Sequence, residues 1–180
     1  MDLGCGDGIN AGHVKQFFSK SEYFGIDISK ESIVKAKESN QSSGVYFEYY
    51  DGKNIPFQEG MFDIIVIACV LHHVPQEEHK NLLLECKRVL KESGSIFIFE
   101  HNLLNPVTRK IVNDCVFDRD AVLVPKNKLK KILKQIGLHH LETSYTIFFP
   151  RKGIFCKLLW IEELLRWLPL GGQYFVKCKK

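Results

Sequence analysis

Short apolar runs of strand length alternate with helix-length segments from one end of this chain to the other, and that alternation leaves few folds open. Strand patterns fall at residues 1–3, 23–26, 45–49, 62–68 and 95–99. Helical patterns lie between them at 12–19, at 30–39 behind an N-cap at Ser29, and at 76–90, where Lys91 and then Gly94 mark the stop. Strands joined by helical crossovers pair in parallel, so the pattern predicts an α/β fold with a mostly parallel sheet between covering helices.

After Glu100 the rhythm changes. Residues 102–125 have no clean period, contain Asn105-Pro106, and read as a long excursion carrying one short helix. A helix over 127–136, with Leu129, Ile132, Leu133 and Ile136 on one face, is stopped by Gly137, and a strand over 139–149 follows. An apolar helix over 154–168, bearing Trp160 and Trp167, and a last strand over 173–178 complete the reading.

At 180 residues and 45% hydrophobic composition, one domain spanning 1–180 with one sizeable core is expected. The longest apolar stretch, 64–71, is too short to span a bilayer, and no signal sequence opens the chain, which predicts a soluble, cytoplasmic protein. Six cysteines occur without a CxxC pair, arguing against a zinc site and against a disulfide framework. The net charge of +4 is split: residues 1–125 hold 13 basic against 18 acidic side chains, and residues 126–180 hold 12 against 3. A basic half can meet anionic partners, though several of its lysines fit the solvated side of one helix.

Chemistry begins at Asp2-Leu3-Gly4-Cys5-Gly6-Asp7-Gly8, between a strand and a helix. Glycines there let the chain turn sharply and let a ligand lie against the backbone. The spacing is GxGxG behind an acid, not the GxGxxG that seats a dinucleotide pyrophosphate, which disfavours a nicotinamide-dependent oxidoreductase. Asp27, at the end of the next strand, can accept two hydrogen bonds from a ribose diol. Asp51-Gly52, just past the third strand, can meet an adenine amino group. Three acids round one loop favour a cationic ligand over a polyphosphate.

Those segments resemble a known family over nearly the whole chain. DLGCGDG resembles motif I of class I S-adenosylmethionine (SAM)-dependent methyltransferases, YFGIDIS motif II, YYDGKNIPF the segment that reaches adenine, and FDIIVIACVLHHVP motif IV. LLLECKRVLKESGSIFIFEHN resembles the stretch that closes the first five strands. The resemblance implies a Rossmann-like, mostly parallel seven-stranded sheet with an antiparallel last strand, SAM as cofactor, and a cofactor-binding half over 1–101 followed by an acceptor-side half over 102–180. It places Asp2, Gly4, Gly6 and Asp7 at the methionine end, Asp27 and Ile28 at the ribose, Asp51 and Gly52 at the adenine, and Ala68 and Cys69 beside the sulfonium. The chain departs from the family in starting at the first strand, which is therefore expected to be clipped and to lack the preceding helix.

Methyl transfer to a hydroxyl needs a proton removed, and histidine is suited to that near neutral pH. His101 and His73, after the fifth and fourth strands, are the catalytic candidates, with His101 preferred as base. The alternative, that His101 only braces the loop, stays open, and a metal site at His72-His73 is not expected. The stretch HNLLNPVTRKIVNDCVFDRDAVLV is similar to methyltransferases of bacterial cell-surface glycan and lipid-linked sugar pathways, which implies a small-molecule or glycan-type acceptor, methylated at oxygen. Asn102, Asn105 and Arg109 are the acceptor-binding candidates. The 154–168 segment suits core or homodimer packing, or contact with a membrane surface near a lipid-linked acceptor. Nucleic acid is not favoured as a substrate, because Ala68-Cys69-Val70-Leu71 replaces an Asn-Pro-Pro-Tyr-like signature. A catalytically silent SAM-fold subunit acting through a partner is the alternative function.

Overall fold

A computed structural model describes residues 1–180 apart from the side chain of Phe117. Its strands are β1 (Asp2–Leu3), β2 (Tyr23–Asp27), β3 (Val45–Tyr49), β4 (Phe62–Ala68), β5 (Leu90–His101), β6 (His139–Thr146) and β7 (Gln173–Lys179). Together they form one sheet in the order β3-β2-β1-β4-β5-β7-β6. The first five pair in parallel, and β7 runs antiparallel to both β5 and β6, as expected. β1 is only two residues long, yet it pairs on both sides, Asp2 with Gly25 and with Val66.

The helices are α1 (Ile9–Phe17), α2 (Lys30–Ser39), α3 (His79–Val89), α4 (Pro106–Asp114) and α5 (Lys126–Gln135). Ser29 caps α2 as the sequence suggests, its hydroxyl accepting from the Ser32 amide at 3.1 Å. Asn105 caps α4, accepting from the amides of Val107 and Thr108, with Pro106 in the first turn where a missing N–H costs nothing.

One face of the sheet is covered by α3 and α5, whose Leu82, Leu83, Cys86, Val89, Leu129 and Leu133 pack with Ile65, Ile67, Ile96 and Ile98. Each fully buried leucine or isoleucine there contributes about 1.5–3 kcal/mol. The opposite face is covered only towards β2 and β3, where Ala11, Ile33 and Ala36 of α1 and α2 meet Tyr23 and Phe47. Over β4, β5 and β7 it stays open: Ile64 is 49% exposed and Val66, Phe99 and Phe175 are half-buried, and a cavity of about 990 Å³ lies between α1 and the β1–β4 side of this face.

Several element boundaries differ from the sequence reading. Helix α1 starts at Ile9, directly after the glycine loop, and not at residue 12. Helix α3 runs His79–Val89, and β5 begins at once at Leu90, because Leu90 pairs with Phe62 at the foot of β4. Gly94 therefore sits inside a strand, where an added Cβ would lie 2.7 Å from Leu90 Cδ1 and 3.0 Å from the Asp63 carbonyl. β6 ends at Thr146, because Ile147 takes a left-handed φ of 60°.

The helix expected over 154–168 is not formed as one. A 3-10 stretch, Gly153–Ile161, leads into a single α-turn, Glu162–Leu165, and neither contains a buried residue. Apolar spacing favours a helix when one face finds a partner. Here Trp160 and Trp167 are 68% and 75% exposed. The turn is anchored by Glu162, whose carboxylate accepts from the amides of Phe148 and Phe149.

Candidate functional site

Chain order reverses between β1 and β4, so their connections depart to opposite sides and leave a crevice at the carboxyl ends of the strands. The loop after β1 forms its floor. Gly4, Gly6 and Gly8 all have positive φ, at 72°, 54° and 79°. Gly4 is closed in, since a Cβ there would lie 2.4 Å from Val70 Cγ2, whereas nothing stands within 4 Å of a Cβ placed on Gly6. The main chain at Gly6 is open for a ligand to approach.

Asp27 ties this loop to β2. Its Oδ2 accepts from the Gly6 amide at 2.8 Å and its Oδ1 from the Ser29 amide at 2.9 Å. Each oxygen keeps a second lone pair for a ligand hydroxyl. Ile28 beside it is 64% exposed at the rim. Asp51 folds its own turn, accepting from the amides of Lys53 and Asn54, and those bonds hold its carboxyl below the usual range. Gly52 follows with φ 81°, and Asp7 is exposed at the end of the glycine loop. These residues stand together round the crevice.

Asp2 faces elsewhere. It is 3% exposed, and its carboxylate accepts from the hydroxyl of Tyr23 at 2.5 Å and from Asn10 Nδ2 at 3.1 Å. Burial pushes its carboxyl upward. It braces α1 against the sheet at the wall of the open-face cavity, which also receives the Ala68 side chain. Cys69, directly after β4, has φ 58°, and burial pushes its thiol up to about 12.

Beyond Cys69 lies a polar cluster that the sequence shows only in part. Glu100, fully buried in β5, accepts from the Leu71 amide at 2.8 Å and pairs with His72 Nδ1 at 2.7 Å. On the other side of His72, Nε2 lies 3.6 Å from Asp118 Oδ1, which is also 3.4 Å from His73 Nε2. Burial opposes charge on His72, but Glu100 and Asp118 outweigh it and raise its pKa. The His101 ring sits 4.9 Å from the His72 ring; burial and then the His72 charge lower its pKa. Burial and His72 lower that of His73 likewise. His79, also buried, clamps the turn after β4 by donating from Nε2 to the carbonyls of Leu71 and Val74.

The asparagines expected to meet an acceptor are engaged within the chain. Asn102 is 3% exposed, donates to the carbonyls of Pro169 and Gly171, and accepts from the Leu104 amide. Asn105 caps α4 and donates to the Leu170 carbonyl. Arg109, on α4, is exposed. In the sequence Asp118 is legible only as one of several polar residues of the excursion that could meet an acceptor, with nothing to pair it to His72 and His73 in the turn after β4.

A family model described as a methyltransferase domain matches residues 1–98, which carry the loops after β1, β2 and β3, the first four strands and most of β5. The chain is a SAM-dependent methyltransferase. An uncharacterized protein of Methanocaldococcus jannaschii is 30% identical over 151 residues, covering 82% of this chain and 68% of its own length. A SAM-dependent methyltransferase of Thermotoga maritima superposes on 99% of this methyltransferase and 80% of itself, at 18% identity and a TM-score of 0.76. Phosphoethanolamine N-methyltransferase 2 of Haemonchus contortus, solved with S-adenosyl-L-methionine, matches 99% of this chain and 47% of its own at a TM-score of 0.71 and 18% identity. The cofactor is SAM. The open main chain at Gly6 and the spare lone pairs of Asp27 fit an adenosyl ligand with a cationic centre. Among the described residues no helix is long and apolar enough to cross a membrane.

Proposed function

We propose that this methyltransferase acts on a hydroxyl of a small-molecule or glycan-type acceptor, with His101 as the base. The observation that carries the reading is the His101 ring, half-buried at the end of β5 with no hydrogen-bond partner among the described residues, while the neighbouring His72 is held by Glu100. A bracing histidine would be bonded to backbone, as His79 is. Gly6 and Asp7 receive the methionine end, Asp27 and Ile28 the ribose, Asp51 and Gly52 the adenine, and Cys69 borders the reacting centre. When bound, SAM supplies a methyl group on a sulfonium that leaves as a neutral thioether. His101 takes the hydroxyl proton as the new C–O bond forms, and the walls hold the acceptor oxygen in line, which supplies much of the rate. With Asn102 and Asn105 spent on the loop 169–171, Arg109 is the acceptor contact we retain.

The test is methyl transfer from ¹³C-methyl SAM with product NMR, which separates methoxy from N- or C-methyl products. His101→Gln is expected to lower kcat about 10²–10⁴-fold with SAM affinity unchanged. Full activity in that variant removes the base, and an N-methyl product removes the oxygen acceptor.

The acceptor's setting is proposed to be a membrane surface. Ile154, Trp160, Leu164 and Trp167 are exposed on the 154–168 segment, as are Leu104, Val107 and Ile111 on and before α4, with Arg109, Lys110, Arg151, Lys152, Lys157 and Arg166 among them. Apolar residues mixed with cations suit an anionic lipid surface. Cosedimentation with phosphatidylglycerol vesicles at low salt is expected for the wild type and lost in Trp160→Ser/Trp167→Ser. A dimer in solution that the same double variant dissociates, without vesicle binding, assigns the surface to self-association instead.

A further inference from the structure

The cluster beyond β4 has the anatomy of a metal site. His72, His73 and Asp118 each offer a ligand atom, and the three atoms lie within 4.8 Å of one another. Asp118 Oδ1 is 3.6 Å from His72 Nε2 and 3.4 Å from His73 Nε2. Ligand atoms about 2.0–2.1 Å from a tetrahedral zinc stand roughly 3.3 Å apart, so these two distances are already close to ligand spacing. The surroundings fit as well. His72 Nδ1 lies 2.7 Å from the carboxylate of Glu100, which is fully buried and fixed by the Leu71 amide. A histidine that donates its Nδ1–H to a carboxylate turns an Nε2 lone pair forward, the arrangement that orients imidazole towards a metal. When His72 is neutral and donates Nδ1–H to Glu100, that lone pair faces the carboxylate oxygen of Asp118, two electron-rich atoms that need a proton or a metal cation between them. His72 is buried and Asp118 half-buried, while the His73 side chain is 44% exposed, leaving an entry path and room for a water in a fourth position.

We propose that His72, His73 and Asp118 form a three-ligand site for a divalent transition metal of the zinc type, with Glu100 as the outer partner that orients His72. Neither CxxC spacing nor any short motif announces it, because the third ligand arrives from the excursion between β5 and β6. The site lies beside His101 at the acceptor end of the crevice, and its existence does not depend on which acceptor is methylated.

The experiment is titration of tag-free, chelator-treated protein with Co²⁺, read by visible ligand-field absorption, and with Zn²⁺ by calorimetry. One ion per chain is expected, with tetrahedral or five-coordinate cobalt bands. His73→Ala and Asp118→Asn should each weaken binding at least tenfold. Glu100→Gln, which removes no ligand atom, should weaken it about 10–100-fold. Alanine at both His139 and His140, an exposed pair elsewhere in the chain, should leave it unchanged. Circular dichroism on each variant confirms folding. Absence of binding at millimolar metal overturns the proposal and leaves a proton bridging His72 and Asp118. Binding that survives both His73→Ala and Asp118→Asn, or that vanishes with the His139/His140 pair, overturns it equally.

Discussion

Replacing Gly4 and Gly6 separately by alanine should give two different failures, although both glycines sit in one loop with positive φ. At Gly4 the new Cβ would lie 2.4 Å from Val70 Cγ2 and 3.3 Å from Cγ1. Valine is stiff at χ1, so the clash cannot be relieved by swinging a flexible chain end, and overpacking of this kind costs about 1–3 kcal/mol. The left-handed backbone, φ 72°, adds about 1–2 kcal/mol for any residue with a Cβ. Gly4→Ala is therefore expected to lose about 2–5 kcal/mol. Gly6→Ala carries only the backbone cost, about 1–2 kcal/mol, because nothing stands within 4 Å of its Cβ. For a chain of this size 1 kcal/mol moves Tm by about 2–4 °C, so the two variants separate by several degrees in a thermal melt. Adding Val70→Ala should recover the steric share in Gly4→Ala, a coupling of about 1–3 kcal/mol in a double-mutant cycle, and recover nothing in Gly6→Ala. SAM calorimetry should show the reverse order of severity once corrected for folding, since the Gly6 methyl would stand in the space proposed for the ligand. Equal melting losses, or no coupling between Gly4 and Val70, would refute this account of the loop.

Asn102→Leu leaves the carbonyls of Pro169 and Gly171 and the Leu104 amide without their side-chain partner, and should cost about 2–4 kcal/mol and raise proteolysis at 169–171, read by limited digestion. Glu85 is held below the usual carboxylate range by its hydrogen bonds from Arg88, then by one from the Ile55 amide. Since folding depresses this pKa, its contribution is present above the unfolded carboxylate range and is lost as pH falls through the folded value. Glu85→Gln should thus flatten the acid side of the stability–pH curve by under about 1 kcal/mol, the limit for a partly exposed pair. Cys69→Ser should leave the shape of the pH–rate profile unchanged from about pH 7 to about pH 10, because burial pushes this thiol up to about 12.

What could be read in the sequence divides at Glu100. Before it, each position proposed for the cofactor is fixed by a local strand-to-loop transition: Gly6 and Asp7 follow β1, Asp27 ends β2 and Asp51 follows β3. Strand, turn and cap chemistry all act within a few residues, so the order of these segments already implies the crevice. Asp2 is the exception, because its direction depends on Tyr23 and Asn10 across the sheet and not on the loop it opens. The 154–168 segment shows the same limit from the other side. Its apolar spacing is real, but a helix is stabilised by what covers its apolar face, and among the described residues nothing buries Trp160 or Trp167.

Past Glu100 the decisive contacts are long-range. A buried carboxylate is costly unless hydrogen bonds satisfy it, and Glu100 takes one from the Leu71 amide and one from His72, about 30 residues earlier in the chain. Those bonds fix the turn Leu71–His73 that ends β4. His79 fixes the same turn from α3, and the Val122 amide, donating to the His72 carbonyl, draws the end of the excursion onto it and so brings Asp118 within reach. The histidine cluster is thus assembled by polar contacts between segments with no periodicity, the class of interaction that pattern reading does not capture. It also follows that Glu100, which touches no ligand in this account, governs the geometry of every histidine in the cluster: its loss should disturb His72 directly, and His73 and His101 through the turn and ring that His72 supports.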